Sequence, residues 1–318
     1  MNLHTDQIAF SVIIDSVAER TNYRKDVLEK DYYVCLILKE LSELQEAGLK
    51  TYFKGGTAVY KILGNLMRFS EDIDLTVNTE GLNNTQKAKM LKKSTEKYIS
   101  LNFNRNLMRM AESLTAEYIY TPIYTVETDP LQRFGMVKVE STSFTVSEPI
   151  KQHVISPLIY SYATDVERQI LETNYSTGKF HIITLSLERI FIDKLFAAES
   201  YFAKHKYFDV CKHLYDIFQL YQLDEIKFLM RNASLIKSIV KIQREEEINR
   251  HGGIEETKTI KSFEIFGNLL INLELLSGFN SMQNIYVFDV VDCVNFEKIV
   301  STLGEIFLNI KDLSLETI

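Results

Sequence analysis

Two aspartates separated by one residue, Asp72 and Asp74, have the clearest chemical potential in this sequence. In a strand, residues i and i+2 point to the same face, so both carboxylates would project together while Ile73 faces the core. Two carboxylates this close repel each other unless a cation lies between them. Mg²⁺ suits this position, because it prefers oxygen ligands and keeps coordination sites open for substrate phosphates. Two such ions about 3.5–4 Å apart could activate an attacking oxygen and stabilise a leaving one.

A glycine-rich turn, Gly55-Gly56-Thr57, lies ahead of the aspartates and has the composition of a phosphate-binding loop. The sequence predicts a short strand over 51–54 and a short helix over 57–63, so the turn would connect a strand to a helix. Glycine lets the backbone approach a ligand, Thr57 can cap the helix, and free N–H groups at a helix N-terminus attract an anion. This order of elements predicts that the loop holds a triphosphate whose metal ions the aspartates bind.

Three polar side chains near these motifs could also contact phosphate. Lys61 lies four residues beyond Thr57 on the predicted helix, while Arg68 and Ser70 lie just before the acidic strand. Lysine would act as a point charge and arginine as a two-pronged donor. A solvated side chain is the alternative interpretation of each cation.

A third carboxylate is expected on a neighbouring strand. Glu140 lies in a predicted strand over 134–145, where it could act as a further metal ligand or as a general base. Glu127 and Glu148 are alternatives to it. A solvent-facing glutamate on an amphipathic strand is the structural alternative.

The elements that would position these residues divide into two parts. Alternating and β-branched patterns predict strands, and apolar residues at helical spacing predict helices. Strands are expected at 51–54, 73–77, 117–127 and 134–145, and helices at 6–20, 25–47, 57–63, 85–112, 184–204, 206–222, 224–248 and 260–278. The sequence thus predicts an α+β fold, with a mixed sheet and flanking helices over 1–165 and a mainly helical domain over 166–318.

Composition restricts the class of protein. The 318 residues include 46% hydrophobic and 25% charged side chains, the balance of a soluble globular protein. The net charge of −7 excludes a uniformly basic nucleic-acid binder, although a local basic patch remains compatible with it. Cys35, Cys211 and Cys293 are too widely spaced for a zinc site, and neither a signal peptide nor a membrane span is recognisable, so we expect a cytoplasmic protein.

A local excess of positive charge lies between residues 87 and 109. This stretch contains seven Lys or Arg residues, and Glu96 is its single acid. An RNA acceptor would need such a surface, since phosphate contacts dominate affinity. Lys92, Lys93 and Lys97 are the candidate RNA contacts, and an ordinary charged helix face is the alternative.

The motifs together resemble a known family. Gly-Gly-Thr, a short helix and then Asp-x-Asp on the next strand is similar to the pattern of polymerase-β-like nucleotidyltransferases. The longer runs at 53–61 and 68–75 resemble those of AbiEii-type toxins, nucleotidyltransferase-like proteins of type IV toxin–antitoxin and phage abortive-infection systems. Three further segments agree with that family, at 29–33, 187–194 and 212–217.

The resemblance implies an enzyme that uses an NTP and Mg²⁺ to add nucleotides to the 3′ end of tRNA, and a toxin with a cognate antitoxin as partner. It also places Lys194 and Asp216 in the active site, with Lys194 reaching the triphosphate. The alternative for the helix that contains Lys194 is a structural role, with a salt bridge between Arg189 and Asp193. Transfer to a protein side chain and a binding module without catalysis are the alternative functions.

Overall fold

Two compact units, Met1–Thr184 and Leu185–Ile318, make up the protein. The computed structural model describes residues 1–124, 133–249, 253–254, 258–267 and 269–311. The first unit contains the sheet and the second is built from helices, which is the predicted α+β organisation. The units divide after residue 184 and not near 165, because residues Phe180–Leu185 add a strand to the sheet.

The sheet has seven strands in the order β3-β4-β5-β2-β1-β7-β6. Their bounds are Thr51–Lys54 (β1), Ile73–Val77 (β2), Asn102–Arg109 (β3), Ser113–Ile119 (β4), Met136–Thr142 (β5), Ile150–Ile155 (β6) and Phe180–Leu185 (β7). Strand β2 runs antiparallel to β1 and parallel to β5, and β4 runs antiparallel to both β3 and β5. The sheet is therefore mixed, as predicted.

The helices of the first unit start and stop at recognisable caps. Their bounds are Gln7–Thr21 (α1), Lys25–Glu46 (α2), Gly55–Leu63 (α3), Asn84–Thr95 (α4), Leu158–Ser161 (α5) and Asp165–Tyr175 (α6). The Asp6 side chain accepts a hydrogen bond from the Ala9 amide at the start of α1, and Asn22 ends that helix in the left-handed conformation. A capping box that pairs Asn83 with Gln86 opens α4.

One face of the sheet carries the predicted acidic residues. Residues directly opposite each other on neighbouring strands place their side chains on the same face. The register pairs Lys54 with Asp74, Asp74 with Glu140, and Glu140 with Thr115, so these four residues form one row across β1, β2, β5 and β4. We call the side defined by this row the carboxylate face.

The opposite face of the sheet packs against helix α4. The row on that face consists of Phe53, Leu75 and Ser141. Each is the chain neighbour of a residue in the first row, and adjacent residues of a strand point to opposite faces. Thr51 lies two residues before Phe53 on β1, and its hydroxyl lies 2.6 Å from that of Ser94 on α4. The lysine-bearing helix α4 therefore lies behind the sheet as seen from the carboxylate face.

The helix predicted over 85–112 is wrong in its second half. Helix α4 ends at Thr95, and Asn102–Arg109 forms the edge strand β3 instead. Arg105 on β3 pairs with Glu117 on β4, with 3.4 Å between Nε and Oε1. An edge strand exposed on both faces and an exposed helix are equally rich in charge, so charge spacing did not separate them.

The second unit consists of helices and short turns. Its helices are Leu187–Phe202 (α7), Tyr207–Tyr221 (α8), Asp224–Arg231 (α9), Ala233–Asn249 (α10), Leu273–Tyr286 (α11) and Phe296–Ile310 (α12). The single helix predicted over 224–248 is interrupted at Asn232, which leaves helical geometry and caps α10 by accepting a hydrogen bond from the Leu235 amide.

Two other predictions need correction. The helix expected over 260–278 is a series of 3₁₀ turns followed by α11, which begins where the Asn272 side chain accepts a hydrogen bond from the Leu275 amide. The strand expected over 117–127 begins earlier and ends at Ile119, and residues 125–127 lie outside the described part. Strands β6 and β7 were not predicted. Among the helices that the structure describes, none has the length and apolar character that a membrane crossing requires.

Candidate active site

The two predicted carboxylates of the sheet lie side by side. Asp74 is the second residue of β2, between Lys54 on β1 and Glu140 on β5. Asp72 immediately precedes the strand, so its backbone belongs to the approach to β2. All three acids are partly buried, as a site that admits substrate requires.

The glycine loop packs directly against one of these acids, Asp74. Gly55 opens α3 with a φ of +83°, and a Cβ at this position would overlap the carboxylate of Asp74. A Cβ at Gly56 would lie 2.6 Å from Nη2 of Arg68 and 2.9 Å from Oγ of Ser70. A side chain at Gly55 would displace the Asp74 carboxylate, and a side chain at Gly56 would displace the ends of the Arg68 and Ser70 side chains.

Thr57 ties the loop to the acidic strand and does not cap α3 as predicted. Its hydroxyl donates to the backbone carbonyl of Asp72 at 2.6 Å and lies 3.0 Å from Oγ of Ser70. The N-cap position of α3 is Lys54, whose side chain makes no capping hydrogen bond. The structure thus brings the loop, Ser70, Arg68 and both aspartates into one place.

A divalent cation fits Asp72 and Asp74. Oδ1 of Asp72 is buried and has no hydrogen-bond partner among the described residues, which is costly for a carboxylate unless a ligand neutralises it. Across the described ranges no three His, Cys, Asp or Glu side chains are arranged to share an ion, and a role for Glu140 as a third ligand stays a prediction. Mg²⁺ tolerates so few protein ligands, because water and substrate phosphates complete its shell. When bound, it would offset phosphate charge and favour deprotonation of an attacking hydroxyl.

Three buried cations lie near Glu71, the residue immediately before Asp72. Burial raises the pKa of the Glu71 carboxyl, and the negative charge of Asp72 raises it further, while Lys30, Arg133 and Arg68 oppose that rise. All three cations are almost fully buried. Sequence reasoning missed Lys30 and Arg133 as members of this cluster. Lys30 lies in the segment 29–33, whose resemblance to the family could have indicated it.

Lys61 occupies a structural position and not the predicted phosphate site. It is 4% exposed, its ammonium pairs with the Asp31 carboxylate, and it donates to the carbonyl of Ser156 at 3.0 Å. Asp31 also accepts hydrogen bonds from the Tyr60 hydroxyl and from the Leu158 amide. This network satisfies the ammonium of Lys61 inside the first unit, so the lysine stabilises the fold around Asp31.

Comparison with known families decides the identity of the chain. The family model for AbiEii, described as the nucleotidyl transferase toxin of a type IV toxin–antitoxin system, matches residues 37–295. The chain belongs to this family. It is thus a nucleotidyltransferase toxin of a type IV toxin–antitoxin system.

The fold of this AbiEii protein is also found in a solved structure. MenT4, a nucleotidyltransferase toxin from Mycobacterium tuberculosis H37Rv, aligns with a TM-score of 0.54 over 94% of this chain and 90% of that chain. The two sequences are 15% identical, so this likeness concerns the fold alone. No curated protein matches the AbiEii chain in sequence.

Two further predicted residues of the AbiEii chain lie in its second unit. Lys194 on α7 and Asp216 on α8 are both buried and form an ion pair, with 2.7 Å between Nζ and Oδ2. The salt bridge expected between Arg189 and Asp193 is present, and Arg189 pairs in addition with Glu246 at 2.5 Å. Contact between Lys194 and a triphosphate stays a prediction.

The candidate RNA contacts lie apart from the aspartates. Lys92 and Lys93 are exposed on α4, and Lys97 is exposed just beyond its end. Lys92 lies 3.5 Å from the carboxylate of Glu96. Since α4 covers the opposite face of the sheet, these lysines do not line the carboxylate face.

Proposed function

We propose that this AbiEii toxin transfers a nucleotide from an NTP to an RNA acceptor, the 3′ end of tRNA, and so blocks translation. The observation that carries the catalytic part is the packing of Gly55 against Asp74, beside Asp72 with its buried, unpartnered oxygen. A loop that approaches the Asp74 carboxylate this closely can hold a triphosphate beside a metal ion bound by the aspartates. The choice of tRNA rests on the family resemblance.

The proposed reaction is an in-line attack by an acceptor hydroxyl on the α-phosphorus of the NTP. The new bond joins the acceptor oxygen to phosphorus, and the bond to the pyrophosphate oxygen breaks. Asp72 and Asp74 would hold Mg²⁺, and Glu140 would accept the proton of the attacking hydroxyl. Backbone amides at Gly56 and Thr57, with Arg68 and Ser70, would hold the phosphates.

Labelling with total cellular polymers tests this function. The purified toxin is incubated with each α-³²P-labelled NTP, Mg²⁺ and either total RNA or total protein, and the products are separated by size. We expect label in the tRNA band with at least one NTP, and slower growth of bacteria that express the wild type than of those that express Asp72→Asn. Label in protein alone would favour transfer to a side chain, and label in neither would favour a binding module.

Because α4 lies behind the sheet, Lys92, Lys93 and Lys97 should affect full-length tRNA and a short acceptor differently. Behind the sheet they can reach only parts of an RNA remote from the reacting end. Replacing all three with Gln should reduce the slope of log affinity against log salt for full-length tRNA by up to about three phosphate contacts. Transfer to a short single-stranded oligonucleotide that copies the tRNA 3′ end should be unchanged, and kinetics at several salt concentrations would measure both effects.

A matched variant controls for loss of charge. Lys50, Lys179 and Lys241 are also exposed and lie outside α4, so their replacement by Gln removes the same net charge. This control should leave the salt slope for tRNA near that of the wild type. Equal slopes in all three proteins would identify the α4 lysines as an ordinary solvated surface.

A further inference from the structure

Two buried hydroxyls of strand β4 lack hydrogen-bond partners within the part of the chain that the structure describes. Ser113 and Thr115 are each 7% exposed, and no described residue forms a hydrogen bond with Oγ of Ser113 or Oγ1 of Thr115. A buried hydroxyl normally finds a donor or acceptor, since leaving it unpaired costs about 1–3 kcal/mol. Two such groups on one strand could both form hydrogen bonds with a ligand that reaches their side of the sheet.

Both hydroxyls lie on the carboxylate face. Thr115 is directly opposite Glu140, which is in turn directly opposite Asp74, so the three side chains follow one another across β4, β5 and β2. Ser113 is two residues from Thr115 on the same strand and therefore points to the same side. The hydroxyls continue the row of acids towards the sheet edge formed by β3.

The direction of in-line attack indicates which of the two substrates reaches Ser113 and Thr115. In an in-line displacement the attacking and leaving oxygens lie on opposite sides of phosphorus. The loop that would hold the leaving pyrophosphate follows β1, on one side of Asp74, whereas Glu140 and Thr115 lie on the other side. The acceptor nucleotide therefore approaches from the side of Glu140 and Thr115.

We infer that Thr115, supported by Ser113, binds the 2′-hydroxyl of the acceptor's terminal ribose. This inference rests on the proposed transfer to RNA. A 2′-hydroxyl both donates and accepts hydrogen bonds, as the threonine hydroxyl does, and it lies next to the attacking 3′-hydroxyl. A site that hydrogen-bonds a substrate hydroxyl rejects the analogue that lacks it, because its own buried hydroxyl is then left unpaired. Thr115 would thus select RNA ends over deoxy ends.

The test compares two acceptors that differ in one oxygen. One is an RNA oligonucleotide that copies the tRNA 3′ end, and the other has a 2′-deoxy terminal nucleotide with its 3′-hydroxyl intact. Wild type should prefer the ribose end by about tenfold in kcat/KM, and Thr115→Val should reduce that preference to nearly one. Thr115→Ser keeps a hydroxyl and should keep most of the preference. The KM for the NTP should stay the same in all variants.

Ser141→Ala is the matched control. Ser141 is also buried and also carries an unpartnered hydroxyl, but it lies opposite Leu75 and Leu114 on the other face of the sheet. This variant should keep the preference for the ribose end. A preference that persists in Thr115→Val, or a wild type indifferent to the terminal 2′-hydroxyl, would overturn the inference while leaving transfer to RNA in place. Absence of transfer to any RNA would refute the proposed function and the inference together.

Discussion

Replacing Asp72 or Asp74 with Asn should lower nucleotide transfer by at least about 10³-fold, on the order of 4 kcal/mol of transition-state stabilisation. The amide keeps the shape of the side chain but loses the charge that a divalent cation needs. Transfer of α-³²P-labelled nucleotide to RNA over a range of Mg²⁺ concentrations measures the loss. We expect that raising the Mg²⁺ concentration does not restore the Asp72→Asn rate.

A surface aspartate provides the control for this prediction. Asp165 begins α6 with a fully exposed side chain whose partner is Arg168 at 3.3 Å. Asp165→Asn removes the same charge and should leave transfer within about twofold of wild type, since exposed pairs contribute little. Thermal unfolding of all three variants shows whether they are folded. A folded Asp72→Asn or Asp74→Asn protein with near-normal turnover would remove that residue from the site.

The local features of the site were readable from the sequence. Strands β1 and β2 begin and end at the predicted residues, Thr51–Lys54 and Ile73–Val77. Glycines delimit the first, and alternation of acidic and apolar residues marks the second. The loop between Lys54 and Thr57 follows from the same local pattern, because close backbone approach is a property that only glycine supplies.

The non-local features could not be read in the same way. Nothing near Lys61 indicates that its partner is Asp31, thirty positions earlier on α2, because burial of such a pair depends on tertiary packing. The pairing of Glu140 with both Asp74 and Thr115 likewise depends on strand order. Strand order also decides that the lysines of α4 lie behind the sheet, and charge composition alone does not indicate which face they occupy.

The second large effect is expected at Gly55. Its φ of +83° disfavours any side chain, and a Cβ there would overlap the Asp74 carboxylate. In Gly55→Ala the carboxylate must move, and displacement of a positioned catalytic group by about 1 Å can cost 10²-fold in rate. We therefore expect transfer to fall by about 10²-fold or more. The measurement is kcat for nucleotide transfer, together with the Mg²⁺ concentration that gives half the maximal rate.

The variant Gly48→Ala distinguishes the clash with Asp74 from the strain of a left-handed backbone. Gly48 has a φ of +89°, close to that of Gly55, but no atom of the described residues lies within 4 Å of a Cβ built at that position. Gly48→Ala and Gly55→Ala should therefore lose similar stability from the left-handed backbone, about 1–2 kcal/mol each, while only Gly55→Ala loses activity. Equal activity in the two folded variants would mean that Asp74 tolerates displacement, and the close contact between loop and carboxylate would then have no part in catalysis. A selective loss in Gly55→Ala, with a higher Mg²⁺ requirement, would tie that contact to the metal-binding position of Asp74.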